Sequence, residues 1–391
     1  MNEHIRQAVC LTDNYPDGQK ICGVRLVYDR PVAAASADTY HVEGRNITGV
    51  TVDGDTVTVA LNIRDKKAAI IAEPEGKIKP GEKPSGPPKL PETVRQPRQV
   101  DIIQQKDLAA VDGTVLPAWP EPVSTHAAVE PVIEDFQQFE FEGLGYNLFV
   151  PETEAKVPLV VFIHDAGPCG ADTKITLSQG NGAINFAKPE WQKEHPCYVL
   201  APQIPRGVKL TNDKFEASDE LLQIKALIDD VAERYNVDQD RIYLTGQSMG
   251  CMASCELNIR DPDRYAASLL VAGQWSPERM AAQCTEKSLW ILVSNHDAKA
   301  FPGMNAVTEA MEAKGAKIGR YTWNAKAGAE ALEAAVTDAL RNDVNIRYTV
   351  FEGSSVVPDY KDDNPATNHM ETWPVVYEIE GLKRWLFSCH L

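Results

Sequence analysis

The feature that most constrains the fold of this chain is the stretch Arg241–Ser254, which reads RIYLTGQSMGCMAS. Its first part is typical of a short buried strand, and the residues after the turn are typical of a helix. Between them lies Gly-Gln-Ser-Met-Gly, where side chains at Gly246 and Gly250 would collide with neighbouring backbone. The turn predicts that Ser248 is strained, with its hydroxyl above the sheet and at the positive end of a helix dipole. The plainer alternative is that Ser248 caps a helix after a glycine-rich turn.

The region from residue 129 onward alternates short apolar runs with helical patterns. Runs that are apolar on both faces suit the interior of a parallel sheet covered by helices, and they read VPLVVFIH, CYVLAP, RIYLTG, AASLLVAG, SLWILVSN and IRYTVFEG. One helical face is marked by apolar spacing at Leu221, Ile224, Leu227, Ile228, Val231 and Tyr235. Further helices are predicted in GMNAVTEAMEAKG and AGAEALEAAVTDALRND, and the closing segment WPVVYEIEGLKRWLF is amphipathic. The alternation predicts an α/β sandwich over 129–391, with a mostly parallel sheet and helices on both faces.

Residues 1–128 have a different pattern, which predicts an all-β sandwich domain. Every second residue from Val57 to Ile63 is apolar, as in a half-buried strand, and the DGD sequence at 53–55 predicts a hairpin turn before it. A proline-rich excursion follows at 73–97. Because proline donates no amide hydrogen, this segment cannot lie inside a sheet, and we expect an extended or mobile loop.

The composition limits the partners of the chain. With 39 basic and 56 acidic residues the formal charge is −17, so nucleic acid and anionic membrane surfaces would be repelled. No apolar run approaches the roughly 18 residues of a membrane helix. No signal-peptide pattern begins the sequence, so we expect a cytoplasmic protein, unless a leader was removed before export. The eight cysteines form no CxxC pair, which argues against a disulfide framework and against a metal site.

A serine nucleophile needs a base, and the expected base is a histidine that follows Ser248 in the chain. Of the three that follow, His390 is next to the last residue, and His296 adjoins Asp297 at the end of SLWILVSN. His369 lies in a predicted loop between the last strand and the closing helix and is the best candidate base, with capping of that helix as its alternative role. Asp297 is the candidate acid that orients the imidazole. The fallback acids are Glu352, Asp359, Asp362 and Asp363.

The tetrahedral intermediate of such chemistry carries an oxyanion, which needs two backbone N–H donors. Met249 directly follows the serine and is expected to supply one. The other is expected in the loop DAGPCG after VPLVVFIH, where Ala166 is the first candidate and Asp165 the next. Gln203 is a candidate for supporting this loop. The candidate pocket residues are Trp275, Gln247 and His164, with packing as the alternative role of the tryptophan.

With these residues assigned, the region from about 129 to 391 resembles the α/β-hydrolase superfamily, in particular its polyhydroxybutyrate-depolymerase-like and feruloyl-esterase-like branch. The stretches that carry the resemblance are QGNGAINFAKPEWQKEHPCYVLAPQIP, GQSMG, AGQW and DAKAFPGMNAVTEAM. Some esterases of this branch bear an amino-terminal immunoglobulin-like domain, and residues 1–128 resemble one. The resemblance implies a serine carboxylesterase that hydrolyses small acyl or aryl esters through an acyl-Ser248 intermediate, with no cofactor.

The oxyanion loop departs from the family pattern. The family usually has His-Gly-x-Gly there, whereas this chain has HDAG at 164–167. A carboxylate that faced the oxyanion would oppose catalysis. We therefore predict that Asp165 points away from the site, or that activity is modest. On this view Asp165→Gly lowers kcat/KM on a nitrophenyl ester by no more than about tenfold.

Two other functions stay open at this point. A serine peptidase of the prolyl-oligopeptidase kind would use the same triad and hydrolyse amides at rates comparable with esters. A non-catalytic chain would keep the hydrolase fold as a scaffold and bind carbohydrate or protein through the β domain. The β domain could also pair two chains as a homo-oligomer, and nothing in the sequence decides this.

Overall fold

The structure, a computed structural model, describes residues 3–71 and 93–391. Most of the predicted proline-rich excursion at 73–97 lies outside these residues. The described residues fall into two compact units, and the first contains 3–71 and 94–135. The second contains the remainder, so each unit can be described by itself.

The first unit extends to Asp135, beyond the predicted boundary at residue 128. The reason is that Ala127–Val129 forms a strand that pairs in parallel with the first strand of this unit. A short 3-10 turn at Ile133–Asp135 follows this strand. Both elements therefore belong to the amino-terminal fold.

The first unit is built from strands. In chain order they are β1 (Ile5–Tyr15), β2 (Gly18–Tyr28), β3 (Tyr40–Val42), β4 (Ile47–Asp53), β5 (Thr56–Leu61), β6 (Asp101–Gln104), β7 (Leu108–Ala109), β8 (Val115–Leu116), β9 (Trp119–Ser124) and β10 (Ala127–Val129). One sheet has the order β10-β1-β2-β5-β4 and a second has the order β3-β6-β9. Along β5, Val57, Val59 and Leu61 are buried, as the period of two predicts, whereas Ile63 lies beyond the end of the strand. Gly54, with a φ of 60°, lies in the turn between β4 and β5.

The second unit contains a large, mostly parallel sheet. Its strands are β11 (Phe136–Phe141), β12 (Leu144–Phe149), β13 (Val157–Ile163), β14 (Tyr198–Pro202), β15 (Val237–Gln247), β16 (Ala267–Val271), β17 (Leu289–Ser294), β18 (Ile318–Trp323) and β19 (Ile346–Phe351). Their order is β11-β12-β14-β13-β15-β16-β17-β19-β18. The pairs β11–β12 and β12–β14 are antiparallel and the others are parallel. Every residue of β13, β16 and β17 is buried, which explains their uninterrupted apolar sequences.

Helices connect these strands. They are α1 (Ile175–Ser178), α2 (Ile184–Ala187), α3 (Pro189–Glu194), α4 (Asp219–Arg234), α5 (Met249–Arg260), α6 (Pro277–Gln283), α7 (Ala300–Ala313), α8 (Ala329–Leu340), α9 (Pro365–Val376) and α10 (Glu380–Ser388). The predicted apolar face of α4 is buried. The closing amphipathic segment is divided between α9 and α10, because Ile379 is extended. No helix among the described residues is long and apolar enough to cross a membrane.

The parallel strands bring their carboxyl ends to one edge of the sheet, where α/β folds place their sites. β13 leads into the loop that begins at His164, and β15 leads directly into Ser248. β17 ends three residues before Asp297, and β19 precedes the segment that enters α9. Four separate stretches of sequence therefore meet at this edge.

Candidate active site

Ser248 occupies the sharp turn between β15 and α5. Its backbone has φ 51° and ψ −115°, which side-chain-bearing residues rarely adopt, and its N–H donates to the Val271 carbonyl at 3.0 Å. A Cβ at Gly250 would lie 1.8 Å from the carbonyl oxygen of Ile163, and one at Gly246 would lie 2.6 Å from the backbone of Gly250. Only glycine fits at both positions, so the chain makes the strained turn that its sequence predicts.

The side chains of Ser248, His369 and Asp297 form one hydrogen-bonded series. Ser248 Oγ lies 2.9 Å from His369 Nε2, and His369 Nδ1 lies 2.5 Å from Asp297 Oδ2. Because an ionised carboxylate can only accept, Nδ1 carries the proton that it donates to Asp297, and Nε2 can accept the serine hydrogen. The side chain of His369 is 25% exposed and that of Asp297 is 3% exposed, so the carboxylate lies behind the imidazole, away from solvent.

Asp297 is held by the imidazole of His369 and by two backbone N–H groups. Its Oδ1 accepts the N–H groups of Lys299 and Ala300, each at 2.9 Å. Burial raises the pKa of this carboxyl, but the hydrogen bond and charge of His369 and the two N–H groups outweigh it, so the pKa lies below its usual value. The carboxylate is therefore ionised at neutral pH and can stabilise an imidazolium.

His369 lies on helix α9 and not in the predicted loop. Asn364 caps this helix, because its side chain accepts the N–H of Thr367 at 3.0 Å. The alternative role of His369 as a helix cap is therefore wrong. Trp373, one turn further along the helix, packs edge-on against the imidazole with 5.2 Å between ring centroids.

Asn368 is a buried neighbour of the imidazole that the sequence analysis did not single out. Ser294 Oγ donates to its Oδ1 at 3.0 Å, and its Nδ2 donates to Asp363 Oδ1 at 2.7 Å. Ser294 is the last residue of β17, so the amide ties α9 to the strand that leads to Asp297. Asp363, one of the fallback acids, thus contacts the neighbour of His369 and not its ring. No sequence spacing marks Asn368, because its partners come from separate segments.

His164 is fully buried at the end of β13. Its Nε2 accepts the N–H of Ile204 at 2.9 Å, so its Nδ1 is protonated and donates to the Asp165 carbonyl at 2.6 Å. Burial lowers the pKa of His164, which keeps the ring neutral. Since a trans peptide places its C=O and N–H on opposite sides, the N–H of Ala166 points away from His164. Ala166 lines the same cavity as Ser248, and its role as an oxyanion donor stays a prediction.

The carboxylate of Asp165 binds protein donors. Its Oδ1 accepts the N–H of Gly167 at 2.8 Å, and its Oδ2 accepts from Gln247 Nε2 at 3.0 Å. Among the described residues, Asp165 is not one that lines the cavity at Ser248. Of the two outcomes that we predict for Asp165, this arrangement agrees with the first, in which the carboxylate points away from the site. Gln203 supports the same loop, because its Nε2 donates to the Pro168 carbonyl at 2.7 Å.

A cavity of about 550 Å³ lies at Ser248. Its lining comprises Ala166, Lys209, Thr211, Asn212, Asp213, Ser248, Met249, Met252, Gln274, Asp297, Ala298, Lys299, Pro365, Ala366 and His369. The three predicted pocket residues, Trp275, Gln247 and His164, are not among them. Trp275 is fully buried and its Nε1 donates to Glu256 Oε2 at 3.1 Å. Gln247 and His164 are held by the hydrogen bonds to the loop at Asp165.

Of the other histidines that follow Ser248, His296 contacts Ser354 Oγ at 3.0 Å through its Nδ1. The eight cysteines are free thiols. Within the described ranges, no group of three or more histidine, cysteine, aspartate and glutamate side chains could hold a metal ion.

Comparison with known proteins identifies relatives of both parts of the chain. The family model for the esterase Ig-like N-terminal domain matches residues 7–117. Poly(3-hydroxyalkanoate) depolymerase C of Paucimonas lemoignei is 27% identical over 139 residues, which are 34% of this chain and 31% of that protein. The chain thus spans about a third of the length of this relative.

Solved structures extend the comparison to the whole fold. The crystal structure of a thermostable esterase has a TM-score of 0.78 at 22% identity, and the match covers 99% of this chain and 100% of that one. A ferulic acid esterase has a TM-score of 0.43 at 12% identity over 64% of this chain and 98% of its own, which is too low to support an inference. The predicted fold class is thereby confirmed: residues 7–117 match the esterase Ig-like N-terminal domain, and the chain shares its overall fold with the solved thermostable esterase.

Proposed function

We propose that this chain is a serine carboxylesterase that acts through an acyl-Ser248 intermediate. The observation that carries the proposal is the hydrogen-bonded series from Ser248 Oγ through His369 to Asp297. It lies at a cavity, at the carboxyl ends of parallel strands, in a fold whose matched relatives are named as esterases and a depolymerase. These names support ester hydrolysis as the chemistry, while the substrate has to be argued from the cavity.

In the first half-reaction, Ser248 Oγ attacks the ester carbonyl carbon, and its proton passes to His369 Nε2. The carbonyl oxygen becomes an oxyanion, for which the N–H groups of Met249 and Ala166 are the proposed donors. Met249 is the first residue of α5, so its N–H has no partner within the helix. The imidazolium, stabilised by Asp297, then gives its proton to the departing alkoxide oxygen, and the acyl group stays on the serine.

The second half-reaction repeats these roles with water. His369 Nε2 takes a proton from water, whose oxygen attacks the acyl carbon. When the intermediate collapses, the proton returns to Ser248 Oγ and the carboxylic acid leaves. Every step uses side chains and backbone of this chain.

The cavity favours aliphatic acyl groups over aryl groups. Its lining includes the apolar side chains of Ala166, Met249, Met252, Ala298, Pro365 and Ala366. Among the described residues that line it there is no phenylalanine, tyrosine or tryptophan to stack on an aromatic ring.

The test is covalent labelling with a fluorophosphonate together with hydrolysis of 4-nitrophenyl butyrate. We expect an adduct on Ser248, and we expect Ser248→Ala to lose the adduct and at least about 10⁴-fold in kcat. Ser354→Ala is a matched control, because this serine also contacts a histidine but donates to Asp363. It should keep both labelling and activity.

Two outcomes would favour the other functions. An absent adduct on a folded protein would favour a non-catalytic scaffold. Hydrolysis of the matched 4-nitroanilide at a rate comparable with the ester would favour a peptidase, because amides are much less reactive than activated esters.

A further inference from the structure

The charged side chains of the cavity at Ser248 differ in whether they have a partner. They are two lysines and two aspartates: Lys209, Asp213, Asp297 and Lys299. Asp297 binds His369, and Asp213 Oδ2 binds Lys299 Nζ at 2.6 Å. Asp213 Oδ1 also accepts from Gln274 Nε2 at 3.0 Å. Each carboxylate that lines the cavity therefore has a donor of its own.

Among the described residues, Lys209 has no such partner. It is exposed, and no carboxylate of the described residues lies within ion-pair distance of its ammonium group. Its backbone is nevertheless held in place, because the next residue, Leu210, is buried and its carbonyl accepts the N–H of Ser218 at 2.9 Å. Of the charged groups in this lining, Lys209 is thus the one without an ion-pair or hydrogen-bond partner among the described residues, and it lies on a fixed stretch of backbone.

This positive charge contrasts with the formal charge of the chain as a whole, which is −17. An anionic substrate is repelled at long range, and only a cation within roughly a Debye length of 8–10 Å can offset that repulsion. Lys209 lines the same cavity as the nucleophile and is placed to do so.

We propose that Lys209 binds a carboxylate of the substrate, so that this site prefers aliphatic esters that carry a free carboxylate. The proposal rests on the proposed esterase function and names its substrate class. Two sources share this chemistry: the monoester of a dicarboxylic acid, and the acid end of a hydroxy-acid ester. In both, the apolar lining takes the aliphatic chain and the ammonium group takes its charged end.

The two sources are distinguished by matched pairs of probes. Mono-4-nitrophenyl adipate carries the carboxylate on the acyl side, and the 4-nitrophenyl ester of adipamic acid is its neutral counterpart. 2-Acetoxypropanoate carries the carboxylate on the alcohol side, and 2-acetoxypropanamide is its neutral counterpart. We expect kcat/KM to be about three- to fivefold higher for the anionic member of at least one pair, the size expected for an exposed ion pair. The preference should shrink when salt is raised to about 0.5 M.

Variants of Lys209 test whether this residue causes the preference. Lys209→Gln should remove the higher kcat/KM for the anionic probe. Lys209→Glu should reverse the preference, and Lys209→Arg should retain it. Lys314→Gln is the matched control, because Lys314 is exposed at the end of α7 and does not line the cavity. It should leave the ratio unchanged.

Failure of this proposal can be told apart from failure of the esterase proposal. Binding of adipate and of adipamide to Ser248→Ala, measured by calorimetry, requires no turnover. Tighter binding of adipate that is lost in Lys209→Gln supports the carboxylate site even if no ester is hydrolysed. Equal binding of the two probes, or a ratio that Lys209→Gln leaves unchanged, overturns it. An active enzyme without charge preference would leave the esterase proposal intact and remove this one.

Discussion

Two turns at the edge of the sheet contribute to the candidate site, and they are held in different ways. The turn at Ser248 is set by backbone packing, because a Cβ at Gly250 would lie 1.8 Å from the Ile163 carbonyl oxygen. The loop that begins at His164 is held by side chains, since the His164 ring and the Asp165 carboxylate bind its backbone groups at 2.6 and 2.8 Å.

The difference teaches how each turn responds to substitution. A glycine that faces backbone atoms cannot be replaced without moving the strand or the helix, whereas a side-chain hydrogen bond can be replaced by another donor or acceptor. We therefore expect the nucleophile turn to be intolerant of change and the oxyanion loop to be adjustable. The predictions below test this contrast, from the largest effect to the smallest.

Gly250→Ala should have the largest effect. The added Cβ would overlap the carbonyl groups of Ile163 and His164, so β13 and α5 must separate. We expect a loss of about 3 kcal/mol or more in the free energy of unfolding, and a loss of at least about 10³-fold in kcat/KM on a nitrophenyl ester. Urea denaturation and steady-state kinetics measure both. Gly49→Ala, whose Cβ would meet only the Ala60 Cβ at 4.0 Å, is the control; equal effects of the two would remove the contrast.

Asp165→Ala should have an intermediate effect. The variant loses the acceptors for the Gly167 N–H and for Gln247 Nε2, so the loop that presents Ala166 becomes less ordered. We expect kcat to fall about tenfold with little change in KM, which is less than the loss of a whole oxyanion donor.

Asp165→Asn is the matched variant. The oxygen of the introduced side-chain amide can still accept from Gly167. The Gln247 amide can rotate so that its oxygen accepts from the introduced NH₂ group, so kcat should stay within about threefold. Wild-type kinetics for Asp165→Ala, or an equal loss in both variants, would show that the hydrogen bonds at Asp165 do not hold the loop.

Trp275→Phe should change stability and not activity. Trp275 is buried, and its Nε1 donates to the Glu256 carboxylate, which also binds Arg260 and Arg279. Loss of this bond and of part of the ring should lower the free energy of unfolding by about 1–3 kcal/mol. Since the side chain does not line the cavity, kcat/KM should stay within about twofold. A selective change in acyl-length preference would instead indicate that Trp275 contacts the acyl group of the substrate.

The smallest expected effect is on the pH dependence of the free energy of unfolding. The pKa of Asp297 is lower in the folded chain than its usual 3.8, so the unfolded chain binds this proton more tightly. The stabilisation is complete above the unfolded value and is lost as pH falls through the folded value. Between about pH 2 and pH 5, the free energy of unfolding should therefore rise more for wild type than for Asp297→Asn. Parallel curves from urea denaturation at each pH would contradict the lowered pKa.

The sheet shows where sequence patterns are informative. β13, β16 and β17 are buried on both faces, and their continuous apolar runs predicted them. β18 was not predicted. It lies at the end of the strand order and is partly exposed, so its sequence IGRYTW has no apolar run.

The residues that line the cavity, by contrast, could not be predicted from local sequence patterns. Trp275 follows β16 and suggested a pocket wall, yet its ring turns into the interior towards Glu256. Lys209 and Asp213, which do line the cavity, lie in a connecting segment without periodicity or motif. Their position depends on how this segment folds back, and no local pattern encodes that.

The sequence by itself determined the strand–turn–helix at Ser248, the α/β architecture and the order of Ser248, Asp297 and His369, because steric exclusion at glycine and hydrophobic periodicity are local properties. Only the tertiary structure decided that the Asp165 carboxylate is bound by Gln247 and which side chains line the cavity. Each of these depends on contacts between segments far apart in the chain, and a contact of that kind leaves no periodic trace in either segment.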